Sequence, residues 1–158
     1  MLLAEKVCLI TGGGSGIGEA TAKLFASEGA FVIITDVDEK AANGVVSEIG
    51  PKAKFINCDV TQEKQVHDTI KKIVEIYDRL DCAVNNAGIT GTPSNIEHTT
   101  LENLSNVIAV NLTGVFLCLK HEITQMIKQG SGSIVNVSSG AGLIAVPSMA
   151  AYCASKHA

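Results

Sequence analysis

Tyr152 and Lys156 stand four residues apart near the end of the sequence, and Ser139 stands thirteen residues before the tyrosine. On a helix, a four-residue step puts both side chains on one face, so a phenol and an ammonium can act together. A phenol with its ordinary pKa of about 10 is a poor base at neutral pH, and a nearby cation favours its phenolate. Such a pair suits proton transfer near neutral pH. The Tyr-x-x-x-Lys spacing alone is common by chance, and its bland reading is a surface pair.

A second set of residues opens the chain. Thr11-Gly12-Gly13-Gly14-Ser15-Gly16-Ile17-Gly18 follows an apolar run and begins a helical stretch. Glycines allow a sharp turn and close backbone approach to a phosphate, and a helix N-terminus offers free N–H groups to its charge. The spacing is G-x-x-x-G-x-G, from Gly12, Gly16 and Gly18, and no Lys-Ser/Thr follows as a P-loop requires. The bland reading is a turn that binds nothing. Asp36 answers it: twenty residues beyond Gly16, it stands where a carboxylate accepts from a ribose 2′-hydroxyl. The same charge repels a 2′-phosphate, and neither Val37 nor Ser15 offers a compensating cation, so NAD is favoured over NADP.

These residues need strands and helices to hold them. Val7–Ile10, Phe31–Ile34 and Ile134–Val137 are short β-branched runs of the kind buried on both faces of a parallel sheet, with Lys54–Ile56 and Cys82–Val84 as two further strands. Val66, Ile70, Ile73, Val74 and Tyr77 follow a helical period, with Thr61 placed to cap its start, and Gly29 closes the first helix. Strand and helix alternate, which means an α/β fold: a three-layer, doubly wound parallel sheet of Rossmann type. Ser139 leaves the last apolar strand at its carboxyl end, the edge where open α/β sheets bind ligands. No linker divides residues 1–158, so they read as one dinucleotide-binding and catalytic domain.

Composition excludes other classes. The 158 residues carry 12 basic and 16 acidic side chains, a net charge of −4, without basic clusters, so nucleic acid is not an expected partner. Hydrophobic residues make up 46% and charged ones 18%, against disorder. Five cysteines, an odd number with no C-x-x-C, read as reduced thiols, and four histidines without ligand spacing give no metal site. The start has no signal-peptide pattern, and no uninterrupted apolar run reaches a membrane span, so the default reading is soluble and cytoplasmic.

Taken together, the glycine motif of residues 11–18, Asp59 with Val60, Asn85-Asn86-Ala87-Gly88, Asn111, Ser139 and Tyr152-Cys-Ala-Ser-Lys156 resemble the short-chain dehydrogenase/reductase pattern, in order and spacing, from Val7 to Lys156. The resemblance implies hydride transfer between a nicotinamide cofactor and a secondary alcohol or ketone. It makes Tyr152 the general acid/base, Ser139 the holder of the substrate oxygen, and Lys156 the partner of Tyr152 and of the nicotinamide ribose. Gly12, Gly14, Ser15, Gly16, Ile17, Gly18 and Asp36 would bind cofactor, as would Tyr152 and Lys156; the Asp59 position binds the adenine, with Val60 beside it, and Asn85, Ala87 and Gly88 line the cleft. It also implies a homodimer or homotetramer through the helix that starts at Leu101. The loop Thr90–Thr99 and the segment Gly140–Met149 would face the substrate, with His98 read as solvated.

Asn111 has an independent reason. The apolar stripe Leu104, Ile108, Val115, Leu119 runs through it, a buried amide needs partners, and a helix from Leu101 to Lys128 is unusually long. A kink at Asn111, its side chain meeting freed backbone groups or a water, answers both points; the resemblance makes it a proton relay behind Lys156. The family sheet continues with two more strands and helices after the Lys156 position, so the expectation is a C-terminally incomplete domain with an open sheet edge at Ile134–Val137. The alternative to a working oxidoreductase is accordingly a truncated or noncatalytic nucleotide-binding relative.

Overall fold

Every expected apolar run forms a strand in the computed structural model, which describes residues 1–158. The strands are β1 (Val7–Thr11), β2 (Phe31–Asp36), β3 (Ala53–Asn57), β4 (Cys82–Asn85) and β5 (Ser133–Asn136). The helices are α1 (Gly16–Ser27), α2 (Glu39–Ile49), α3 (Glu63–Tyr77), α4 (Leu101–Ile108), α5 (Val115–Gln129) and α6 (Ala150–His157). All strand pairs are parallel, in the order β3-β2-β1-β4-β5. The order reverses between β1 and β4, which makes a crevice at their carboxyl ends.

Side chains of a strand alternate between faces, and the core divides accordingly. Cys8, Ile10, Val32, Ile34 and Val84 pack with Ala22 of α1 and with Ala42 and Val45 of α2. Val7, Leu9, Ile33 and Ala83 pack with Ile70 and Ile73 of α3 and with Met126 of α5. The three-layer, doubly wound α/β architecture read from the sequence is the one observed.

Three local expectations are corrected. Thr61 does not cap α3; its N-cap is Gln62, without a side-chain cap bond. The Thr61 amide and hydroxyl both donate to Asp59 Oδ1, at 2.9 and 2.8 Å, because an adjacent carboxylate is the stronger acceptor. β5 is not buried on both faces. It is the open sheet edge expected at Ile134–Val137, paired on its β4 side only, and Val135 is 54% exposed.

The third concerns Asn111. α4 and α5 are joined without a break by a wide π turn, Ala109–Gly114, with Asn111 buried inside it. Its amide does not serve freed groups of its own helix: Oδ1 accepts from Ile89 N at 2.8 Å, and Nδ2 donates to Ile89 O and to Ser155 Oγ, each at 2.9 Å. The Asn111 side chain thus serves the loop after β4 and α6. The whole helix, Leu101–Gln129, has the length and mean hydropathy (1.3) of a membrane span. Val107, Asn111, Leu117, Cys118, Glu122 and Met126 lie on its buried face, while Leu101, Phe116, Ile123 and Ile127 are exposed.

Asp81 ties the amino ends of three strands. It is 6% exposed; its carboxylate accepts from Val7 N at 2.9 Å and pairs with Arg79 and with Lys6 at 3.4 Å, while its carbonyl accepts from Ser133 N. Burial raises its pKa, but the Arg79 guanidinium, the Val7 amide and Lys6 together outweigh burial and hold the carboxyl below its ordinary range. A depressed carboxyl stabilises the fold above its unfolded pKa of about 3.9, and that stability is lost as pH falls through the folded value. Asp81→Asn should therefore cost on the order of 1 kcal/mol at neutral pH, both cations being half exposed. In thermal melts the gap between variant and wild type should close below about pH 4.

Candidate active site

The expected nucleotide residues converge at the switch point. A cleft of about 380 Å³ is lined by Gly12, Ser15, Gly16, Ile17, Asp36, Asp59, Val60, Ala87 and Gly88, together with Val37, Cys58, Asn86, Ile89 and Val110. Its floor is backbone. Gly12 has φ +63°, and a Cβ on it would lie 2.9 Å from Ala87 Cα; Gly16 has φ +55°, open to the cleft. Both positions exclude a side chain, the first by contact and the second by conformation. Behind them α1 begins at Gly16, where the first N–H groups have no intrahelical partner, and the Ser15 side chain makes no cap bond.

Asp36 is anchored at the cleft edge. Its Oδ2 accepts from Gly14 N at 2.9 Å and its Oδ1 from Asp38 N at 3.0 Å. The carboxylate therefore shapes the glycine loop as well as lining the cleft. Gly14 and Gly18 do not line it. Gly14 packs against Asp36, and Gly18 sits so close to the Gly12 carbonyl that a Cβ would overlap it, so both act as spacers.

Asn85 is placed away from the cleft, which corrects the expectation for it. It is 2% exposed, and its side chain turns to the opposite face of the sheet, bonding Glu122 and Asn136. Its neighbour Asn86 lines the cleft and was not singled out as a site residue. Asn86 Nδ2 donates to Thr11 O and Gly12 O, and the Asn86 and Ala87 amides both donate to Thr11 Oγ1, all four bonds at 3.0 Å. The signal for Asn86 was strand alternation through β4, which a strand buried on both faces conceals.

The second group lies beyond Gly88. Lys156 Nζ donates to Val137 O at 2.9 Å and stands 5.9 Å from the centroid of the Tyr152 ring. A Cβ on Gly88 would lie 3.8 Å from Lys156 Nζ and 3.3 Å from Asn111 Oδ1, so this glycine turn is where cleft and lysine meet. Asn111 reaches α6 through Ser155, whose hydroxyl also donates to Tyr152 O at 2.8 Å; it makes no bond to Lys156. Ser139 follows β5, half-buried, its Oγ accepting from Ala141 N at 3.2 Å. Nearby, the two loops expected to face substrate are joined: Ser94 N donates to Ser148 O at 2.8 Å, and Ser94 bridges to Met149. His98 lies exposed on the first of them.

Residues 6–158 match the sequence model of the short chain dehydrogenase family. The 2,5-dichloro-2,5-cyclohexadiene-1,4-diol dehydrogenase LinX of Sphingobium indicum is 45% identical over 159 residues, covering 99% of this chain and 63% of that protein. Secoisolariciresinol dehydrogenase of Forsythia intermedia is 44% identical, over 99% of this chain and 57% of its own length. Among solved structures, NAD+-bound xylitol dehydrogenase superposes with a TM-score of 0.96 at 36% identity, covering 99% of this chain and 62% of that one. The chain thus spans less than two thirds of the length of each of these relatives.

Thr11 is 3% exposed, and its hydroxyl oxygen is the acceptor for two backbone amides from the turn after β4. Thr11→Val keeps the shape and removes that acceptor, so stability in urea should fall by about 1–3 kcal/mol. Thr11→Ser should keep most of it, and hydrogen exchange at Asn86 and Ala87 should speed up in the valine variant only.

Proposed function

The chain belongs to the short-chain dehydrogenase family, and we propose that the protein is an NAD-dependent oxidoreductase acting on a secondary alcohol or ketone. The observation that carries this reading is the continuity of the site: a glycine-floored cleft edged by Asp36 leads, through Gly88, to Lys156 and Tyr152. The relatives' names support the alcohol class, since they include a diol and xylitol.

The residues present fit a dinucleotide. Gly12 and Gly16 leave space that a Cβ would take or strain, and the start of α1 directs unpaired N–H groups towards a pyrophosphate. Asp36 keeps lone pairs for the two hydroxyls of a ribose and, by charge, disfavours NADP. Asp59 and Val60 would flank the adenine, and Lys156, with donors left after its bond to Val137 O, would hold the nicotinamide ribose. The bound nicotinamide supplies a hydride acceptor or donor, which no side chain offers.

The remaining work belongs to this chain's own groups. In oxidation, the Tyr152 phenolate takes the proton of the substrate hydroxyl; in reduction, the phenol returns one to the carbonyl oxygen. The Lys156 ammonium supports the phenolate, and the Ser139 hydroxyl donates to the substrate oxygen as charge develops there. Asn111 holds α6 in register through Ser155 and sits at the Gly88 turn, the place for a relay behind Lys156. Residues 1–158 belong to one dinucleotide-binding and catalytic domain. Phe116 and Ile127, 61% and 75% exposed on α5, support pairing of subunits through that helix.

Two measurements test the reading. With NAD and a panel of secondary alcohols, Tyr152→Phe should lower the rate of nicotinamide reduction by about 10²–10⁴-fold while changing NAD affinity far less. Equal turnover in variant and wild type would refute the role of Tyr152. Asp36→Asn keeps an oxygen for Gly14 N but removes the charge, so the preference for NAD over NADP should fall by about tenfold. Tighter binding of NADP than of NAD by the wild type would refute the role given to Asp36.

A further inference from the structure

α5 carries a carboxyl group into the interior that the reaction above does not use. Glu122 is 0% exposed, and its Oε2 accepts a hydrogen bond of 3.0 Å from Asn85 Nδ2. The same nitrogen gives its second hydrogen to Asn136 Oδ1, also at 3.0 Å. Two buried oxygens are left without a donor: Glu122 Oε1 and Asn85 Oδ1. They are the second oxygens of the carboxyl and the amide that the first bond already joins.

A carboxylate can only accept, so an ionised Glu122 leaves both oxygens unpaired in a site that water does not reach. One proton on Oε1 answers both: the acid gains an O–H donor, and Asn85 Oδ1 is the acceptor within the same pair. The result is a cyclic acid–amide pair, with N–H to Oε2 in one direction and O–H to Oδ1 in the other.

No cation competes for the carboxyl. On α5, Lys120 and His121 turn to Glu63 of α3, and Cys118 lies one turn away with its thiol pushed up by burial. The buried side chains of α3 are Val66, Thr69, Ile70 and Ile73; Asn85 and Asn136 supply the polar groups from β4 and β5, while the Cys82 thiol packs with Cys8 in the other core layer. Burial pushes the Glu122 carboxyl up to about 7, against the opposing effect of the Asn85 bond.

We propose that Glu122 is a positioning residue: as a neutral acid it closes a two-bond pair with Asn85 and thereby fixes the turn Asn86–Ala87–Gly88 against the glycine loop. Asn85 is the last residue of β4, and the very next residue makes the bonds to Thr11 and Gly12 that form the cleft floor. Loss of the proton unmakes the pair at the root of that turn. The sign follows from the raised pKa. Stability from the pair is complete below the unfolded carboxyl pKa and is lost as pH rises through about 7.

The test compares wild type with Glu122→Gln, which keeps the shape and supplies its own N–H to Asn85 Oδ1. Infrared difference spectra near pH 6 should show a protonated carboxyl band in wild type that is missing in E122Q. Between about pH 6 and pH 8 the melting temperature of the wild type should fall and that of E122Q stay level. Over the same range, after correction for intrinsic rates, exchange protection at Asn86 and Ala87 should drop by about tenfold in wild type and hold within about twofold in E122Q. Absence of the band, or equal pH slopes in the two proteins, overturns the proposal. The consequence for cofactor rests on the cleft reading given above: NAD affinity should track protection in wild type and not in E122Q. If band, melting and exchange behave as stated but NAD does not bind, the cleft reading fails and the acid–amide pair stands.

Discussion

Four hydrogen bonds between the end of β1 and the turn after β4 make the crevice possible. Thr11 and Gly12 on one side, Asn86 and Ala87 on the other, are some 75 residues apart in sequence and bonded at 3.0 Å. At this point the sheet reverses its winding, so neither a helix nor a neighbouring strand covers the backbone ends, and their polar groups must be satisfied otherwise. The Asn86 amide and the Thr11 hydroxyl do this locally. Because Asn86 Nδ2 occupies the carbonyls of Thr11 and Gly12, the loop can turn directly into α1 with its N–H groups directed outwards. Gly18 then packs on Gly12 with no room for a side chain, and the helix start is held against the strand end.

The helix pair α4–α5 is the second scaffold, and it works through amides. Asn103 and Asn111 each make a reciprocal pair with one residue of the loop after β4. Asn103 exchanges two bonds with Thr92, at 2.9 and 3.0 Å, and Asn111 two with Ile89, at 2.8 and 2.9 Å. An asparagine side chain has the donor and acceptor of a peptide group, so each pair imitates a strand contact where no strand exists. The π turn between Ala109 and Gly114 belongs to the same arrangement: Asn111 sits inside it, buried and directed at the loop and Ser155. Further along the same helix, Glu122 meets Asn85. One helix therefore holds the β4 strand end, the loop that follows it and α6.

Much of this was legible in the sequence, and the reasons for the rest are physical. Strands stood out because parallel strands covered on both sides are continuous apolar runs, and the glycine loop because only glycine fits its contacts. The same continuity hid the facing of β4. With Cys82, Ala83 and Val84 all apolar, nothing in composition says whether Asn85 or Asn86 enters the cleft; the register with β1, Cys8 against Cys82, decides it. Thr61 looked like a helix cap because its type and position suit one, but its own amide and hydroxyl donate to Asp59 and the N-cap of α3 falls one residue later. The valine and isoleucine of β5 have the composition of a strand buried on both faces, and its exposure follows from its place at the open edge. Glu122 passed as an ordinary helix residue, since the stripe it shares with Cys118 and Met126 becomes visible only once the packed face is known.

The position of Tyr152 and Lys156 depends on tertiary bonds more than on the helix that carries them. α6 presents both side chains on one face by their four-residue step. What fixes it is lateral. Asn111 bonds Ser155, the one fully buried polar side chain of α6, and Lys156 reaches the carbonyl of Val137 just past β5. A Cβ on Gly142 would overlap the Lys156 carbonyl, so the segment after Ser139 is pressed against the same helix. The two side chains proposed for the chemistry thus take their place from the π turn on one side and from the end of β5 on the other. Ser139, leaving β5 two residues after Val137, is placed by the same strand end that anchors Lys156. The hydroxyl proposed to hold substrate and the ammonium proposed to support the base therefore share one backbone support, and a shift of β5 would move both together.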